Sequence, residues 1–84
     1  MDAHKFGAFV ARRRKERNMT QADLASKIQV TDKAVSRWER GLGFPDINII
    51  EPLADALEVS VLELMKSERM AANLVAGEEA AEAI

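Results

Sequence analysis

The stretch Thr20-Gln21-Ala22-Asp23-Leu24-Ala25-Ser26-Lys27-Ile28-Gln29-Val30-Thr31-Asp32-Lys33-Ala34-Val35-Ser36-Arg37-Trp38-Glu39-Arg40-Gly41 decides the fold. Thr20 is a good helix N-cap, and Asp23, three residues on, sits near the positive end of the helix dipole. Leu24, Ala25 and Ile28 form one apolar face, and the helix ends near Ile28. A second helix is capped by Thr31 or Asp32, turns Ala34, Val35 and Trp38 inward, and stops at Gly41. Only Gln29, Val30 and Thr31 lie between them. Two short helices on such a turn, each with an apolar inner stripe, describe a helix-turn-helix. Ala25 sits where the helices come closest, and a larger side chain there would push them apart. Ile28, Val30, Val35 and Trp38 read as core that wedges the turn in place.

Outward from this unit the periodicity stays helical. Phe6, Phe9 and Val10 fall at i, i+3, i+4 and predict a first helix over about Lys5 to Arg17. Its C-terminal half carries Arg12, Arg13, Arg14, Lys15 and Arg17, where cations suit the helix dipole, and Asn18 is suited to end it. Gly43 and Pro45 mark Leu42 to Pro45 as a loop. A fourth helix follows Asp46, with Ile47, Ile50, Leu53, Ala54 and Leu57 on one face. Pro52 requires that this helix either begins near Asn48, with the proline in its first turn, or is kinked. Ser60 caps a fifth helix with Glu63 completing a capping box, and Leu64 and Met65 close the core. No segment shows strand alternation. The expected architecture is all-α, with five helices over residues 1–67. Residues 68–84 form a tail, read as a frayed or disordered extension or as a helix that packs on a partner; Met70, Leu74 and Val75 give it a weak apolar stripe.

A chain of 84 residues is one domain. Its net charge of −2 hides an asymmetry. Residues 1–44 hold ten Lys or Arg against five Asp or Glu, and residues 45–84 hold two against nine. Such a split hints at a basic binding face. The absence of Cys excludes a disulfide framework, and a single His makes a zinc site a poor reading. No cofactor is expected. No apolar run approaches the roughly 18 residues that would span a membrane, and no signal-peptide stretch opens the chain, so a cytoplasmic protein is expected. No catalytic set or phosphate loop is present, and His4 lies near the terminus, so an enzyme is not expected.

Four groups of residues together carry a family resemblance: Thr20-Gln21-Ala22-Asp23-Leu24-Ala25, Val35-Ser36-Arg37-Trp38-Glu39-Arg40-Gly41, Pro45-Asp46-Ile47 and Leu53-Ala54-Asp55-Ala56-Leu57. In type and order they resemble the Cro/C1-type, or Xre, helix-turn-helix family over about residues 6–66. The resemblance implies a compact, lambda-repressor-like DNA-binding domain, similar to those of phage repressors. It implies sequence-specific binding of double-stranded DNA by a transcriptional regulator, a repressor acting as a homodimer on a two-fold operator. The dimer surface is then expected in the fifth helix and the tail.

In this motif the third helix enters the major groove. With Ala34, Val35 and Trp38 inward, Asp32, Lys33, Ser36 and Arg37 point outward, at positions that read bases in similar repressors. Arg37 or Lys33 can donate to guanine O6 and N7, Ser36 can contact either base type, and Asp32 can accept from cytosine N4. The bland alternative is a merely solvated helix face. Gln21, at the start of the second helix, is a phosphate-contact candidate, with Thr31 and Arg40 beside it. Arg12, Arg13 and Lys15 read first as a solvated charge run. Arg14 and Glu39 match a partly buried ion pair of similar repressors, which would lock the first helix to the third; stranding one partner costs about 3–5 kcal/mol. Two departures stand out. Gln29 occupies a turn position where the family often has Gly, at about 1 kcal/mol of strain if φ is positive. The Leu42 to Phe44 loop lacks the cation that similar repressors often place there, leaving its apolar residues for the core or another subunit. The competing function is a protein-interaction or antitoxin-type adaptor module, whose acidic half would suit a basic partner.

Overall fold

The structure, a computed structural model, describes residues 2–69. Five helices follow in order: α1 (Ala3–Glu16), α2 (Gln21–Ile28), α3 (Asp32–Glu39), α4 (Ile47–Leu57) and α5 (Val61–Lys66). The described residues contain no strand. Each N-terminus is fixed by a side chain that accepts from otherwise unsatisfied backbone N–H groups. Asp2 starts α1 two residues earlier than the apolar stripe indicates, accepting from the N–H groups of His4 at 2.8 Å and Lys5 at 3.3 Å. Those bonds hold the Asp2 carboxyl below its usual range. Thr20 and Asp23 form a reciprocal capping box on α2, at 3.0 and 2.9 Å, which likewise lowers the Asp23 pKa. Thr31, not Asp32, caps α3. Asp46 caps α4, and Ser60 with Glu63 completes the box expected at α5.

The helices pack around one core in which Phe6, Val10, Leu24, Val35, Leu53, Leu57 and Leu64 are fully buried. α1 lies against α3, α4 and α5, while α2 sits between α3 and α4. Two residues expected in the core are outside it. Ile47 is 76 % exposed, because it occupies the first position of α4, beyond the reach of the stripe that Ile50, Leu53, Ala54 and Leu57 turn inward. Met65 is also exposed, and Val59, just ahead of α5, is buried instead. The loop residue Phe44 packs edge-on against Phe6 with ring centroids 5.3 Å apart, so its contact is with the core. Pro52 is the sixth residue of α4, past its first turn. The helix therefore lacks the bond that residue 52 would donate to the Asn48 carbonyl.

Three features hold α1 to the rest of the domain. Gly7 is the first: a Cβ built there would lie 2.2 Å from the Trp38 carbonyl oxygen and 2.8 Å from that of Glu39. The α1 backbone thus touches the C-terminal turn of α3 with no room for a side chain. A helix-interior glycine is the sequence signal for such an approach. The second is the half-buried Arg13, whose Nε donates to the Leu57 carbonyl at 2.7 Å and whose Nη2 donates to that of Glu58 at 3.3 Å. It covers the open carbonyls at the end of α4, a role that the charge run alone did not suggest. Arg17 pairs with Glu58 beside it. The third is the clasp between Arg14 and Glu39: Arg14 Nε and Nη2 donate to the two carboxylate oxygens at 2.7 and 3.0 Å. Arg14 Nη1 also donates to the Met19 carbonyl at 2.8 Å. Both charged side chains are nearly buried, at 11 % and 7 % exposure, and the hydrogen-bonded Glu39 raises the pKa of Arg14.

After α5, Glu68 pairs with Lys5 and Arg69 with Glu63. The alternatives weighed for the rest of the tail concern residues 70–84, outside the described residues. Among the described residues, no helix is long and apolar enough to cross a membrane.

Four helix ends use the left-handed region without glycine: Asn18, Gln29, Glu58 and Ser67 have φ between 57° and 60°. Gln29, at 60°, makes the α2–α3 turn, in the conformation anticipated for it.

Three stability changes follow, each read by urea unfolding. Gly7→Ala should destabilise by about 1–3 kcal/mol, since overlap with backbone outweighs the ~1 kcal/mol that Ala gains in helix propensity. Gln29→Gly should stabilise by about 1 kcal/mol by relieving the left-handed strain; an unchanged midpoint would show that the turn stores none. Arg14→Met or Glu39→Leu alone should cost about 3–5 kcal/mol, and the double variant clearly less than the sum.

Candidate nucleic-acid interface

α3 is eight residues long and two-faced. Val35 and Trp38 are buried, and Ala34 is half-buried against the core. Asp32, Lys33, Ser36 and Arg37 fall on the other side; Ser36 is half-buried and the rest are exposed. These four expected base readers therefore share one surface, at i, i+1, i+4 and i+5. Among the described residues, none pairs with or hydrogen-bonds the side chains of Asp32, Lys33 or Arg37. Their full donor and acceptor capacity is open to a ligand.

The three expected phosphate contacts flank this face, each in a different state. Thr31 is exposed and its Oγ1 accepts the Ala34 N–H at 3.1 Å, which leaves the hydroxyl proton to donate outward. Gln21 is tied inward: its Nε2 donates to Glu39 Oε1 at 2.9 Å. The Arg14 clasp is thus a three-residue network that joins α1, the start of α2 and the end of α3. Gln21 keeps its amide oxygen and one amide proton for anything outside. Arg40 is exposed and folds back over its own helix, with Nε 3.2 Å from Ser36 Oγ and 3.3 Å from the Ser36 carbonyl oxygen. Its two Nη groups make no bond among the described residues. The sequence had placed Ser36 and Arg40 in separate roles; their i, i+4 spacing is the signal that they meet.

The backbone adds donors. Thr20 and Thr31 satisfy the third N–H of α2 and α3 respectively. The first two N–H groups of each helix, on Gln21 and Ala22 and on Asp32 and Lys33, have no acceptor among the described residues. Helix N-termini of this kind, with dipoles adding to the open N–H groups, accept phosphate oxygens.

The remaining cations divide clearly. Arg13, Arg14 and Arg17 are committed to carbonyls and carboxylates of the domain itself. Arg12 and Lys15 are exposed and have no partner among the described residues. Arg12 lines a shallow cleft of about 280 Å³ with Phe9, Arg13, Glu16, Glu68 and Arg69, none of them on α2 or α3. His4 lies in the first turn of α1, and its ring covers Gly41, where a Cβ would come within 2.5 Å of Nδ1. Leu42, like Phe44, remains substantially exposed in the uncharged loop after α3.

Known proteins are similar to this chain in sequence and fold. The Cryptic phage CTXphi transcriptional repressor RstR of Vibrio cholerae serotype O1 is 38 % identical over 55 residues, covering 66 % of this chain and 49 % of RstR. The HTH-type transcriptional activator BcrR of Enterococcus faecalis is 32 % identical over 54 residues, covering 64 % of this chain and 26 % of BcrR. The chain thus spans half or less of the length of either curated relative. Among solved structures, the P22 c2 repressor in complex with a synthetic operator superposes with a TM-score of 0.71 at 32 % identity, covering 75 % of this chain and 96 % of that one. The sequence pattern of the helix-turn-helix family HTH_3 matches residues 10–64, from the middle of α1 into α5, and the chain belongs to that Cro/C1-type family.

Proposed function

We propose that this domain binds double-stranded DNA sequence-specifically as part of a transcriptional regulator. The carrying observation is the outer face of α3, where Asp32, Lys33 and Arg37 have no side-chain partner among the described residues, together with the open N–H groups at the starts of α2 and α3. α3 lies in the major groove, with Asp32, Lys33, Ser36 and Arg37 at base edges. Thr31, Arg40 and the free part of the Gln21 amide hold flanking phosphates, with Arg14 and Glu39 as the structural clasp behind them.

Two copies bind a two-fold operator, each reading one half-site, and the geometry of the motif puts half-sites about one helical turn apart. The regulator acts as a repressor, by occupying DNA that polymerase needs. RstR and the P22 c2 protein support that direction, while BcrR, an activator, shows similarity to the other.

The deciding experiment is selection of the 84-residue chain on a random duplex DNA library at moderate salt. A two-fold motif is expected. Arg37→Ala should then relax one base pair by about 1–3 kcal/mol while leaving the others unchanged. Affinity should fall with salt on a log–log slope near −0.9 for each phosphate contact. A folded protein that enriches no sequence would return the adaptor reading, with a basic protein as the partner to seek.

A further inference from the structure

Ser36 is the one expected base reader whose side chain is engaged before DNA arrives. A serine hydroxyl carries one donor and two acceptor sites. One acceptor site is filled by the Arg40 Nε–H, a cationic donor 3.2 Å away that bifurcates to the Ser36 carbonyl at 3.3 Å. The hydroxyl proton cannot lie along that approach, so it is turned away from Arg40. In helices, serine commonly returns this proton to the carbonyl one turn back. Here no such bond forms: Ser36 Oγ donates to none of the described residues, whereas Ser67 Oγ donates to the Leu64 carbonyl. Ser36 thus has one acceptor site filled, a second still open and an unclaimed donor on the outer face of α3; accepting the Arg40 bond polarises the hydroxyl, which strengthens it as a donor and weakens its remaining acceptor site.

We propose that Arg40 is a positioning residue that sets Ser36 as a hydrogen-bond donor, so that the base facing Ser36 is chosen for an acceptor edge. This inference rests on the DNA-binding reading above. Serine alone is indifferent in the major groove and can meet acceptors or donors. With Arg40 in place it favours guanine N7 and O6, adenine N7 or thymine O4, and disfavours the amino groups of cytosine and adenine. The same arginine keeps both Nη groups for a phosphate oxygen. A phosphate held there fixes the guanidinium plane and with it the Nε–H, which links the backbone grip to the polarity of the base contact.

The test uses four forms of the chain in the same library selection: wild type, Ser36→Ala, Arg40→Met and Arg40→Gln. Glutamine places an N–H donor at the same distance along the side chain as Arg Nε but without charge; methionine has neither. Because Arg40 is exposed, both variants should keep the wild-type melting curve, monitored by circular dichroism. Ser36→Ala should lower the base preference at one motif position by about fivefold, the typical worth of a single hydrogen bond. Arg40→Met should lower the preference at that same position comparably and admit bases that present an amino group. Arg40→Gln should keep that preference while weakening binding evenly across all sequences, as loss of a phosphate contact does. The proposal is overturned if Ser36→Ala changes no position, or if Arg40→Met leaves the Ser36 position at wild-type preference. It is also overturned if Arg40→Gln flattens that position as much as Arg40→Met, which would make charge rather than the Nε–H the cause. A wild-type chain that selects no motif defeats the DNA-binding reading itself, and this inference with it.

Discussion

A carboxylate buried at the end of a short helix must be neutralised, and the way Glu39 is neutralised organises this domain. Its two oxygens take donors from Arg14 on α1 and from Gln21 at the start of α2. Three helices are thereby tied at one point, and the tie is directional: a guanidinium fork meets a carboxylate in one plane and one register. Close-packed apolar residues would supply more stability per contact, since a buried pair returns little net energy after desolvation. What the clasp supplies is orientation. α3 is only eight residues long, too short to persist alone, and in the proposed function its outer face must sit at a fixed angle to α2. The contact of Gly7 with the Trp38 and Glu39 carbonyls brings α1 close enough for Arg14 to reach.

The same economy shapes the connections. α2, α3 and α5 are each eight residues or fewer, so capped ends are a large fraction of every helix. All five N-termini have a side-chain cap, two with full capping boxes. Three of the five C-termini end on a left-handed non-glycine residue, and Asn18 follows the end of α1 in the same conformation. At the ends of α2 and α4 the strain is tolerated because the chain reverses within a few residues and returns an apolar residue to the core. After Gln29 it is Val30, and after Glu58 it is Val59. At the α2–α3 turn this reversal sets the geometry of the helix-turn-helix.

Most of this was legible in the sequence because short-range rules govern it. Capping residues, apolar spacing and the turn between Ile28 and Thr31 located every helix to within two residues at its start. The departures arise where tertiary contacts override local pattern. Ile47 fits the periodicity of α4 but stands one turn too early to meet the core. Asp2 extends α1 beyond its apolar stripe. The residues of the outer α3 face were legible as a face, since burial of Val35 and Trp38 leaves their opposites outside. Their hydrogen-bond states were not. Whether Gln21 is free or held, and whether Ser36 is a donor or an acceptor, depends on which long side chains fold back, and spacing alone leaves several partners open to each.

Charge illustrates the same limit. The first helix and its C-cap carry five of the twelve cations between residues 12 and 17, and by count this segment would be the natural electrostatic anchor for DNA. Three of the five are instead committed to carbonyls and carboxylates of the fold. A cation already bonded to a carboxylate brings little net charge to a phosphate, and bringing it there would dismantle the bond that holds the helix. In the proposed complex the electrostatic attraction would therefore fall to the cations left without a partner near α3 among the described residues, assisted by the helix N-termini. A surface with few free cations gains modest affinity from the backbone, which all sequences share. Under the proposed function, discrimination would then depend more heavily on base contacts from one short helix. In the proposed complex the orientation of α3 would limit specificity, and the Arg14–Glu39–Gln21 network is what ties α3 to α1 and α2.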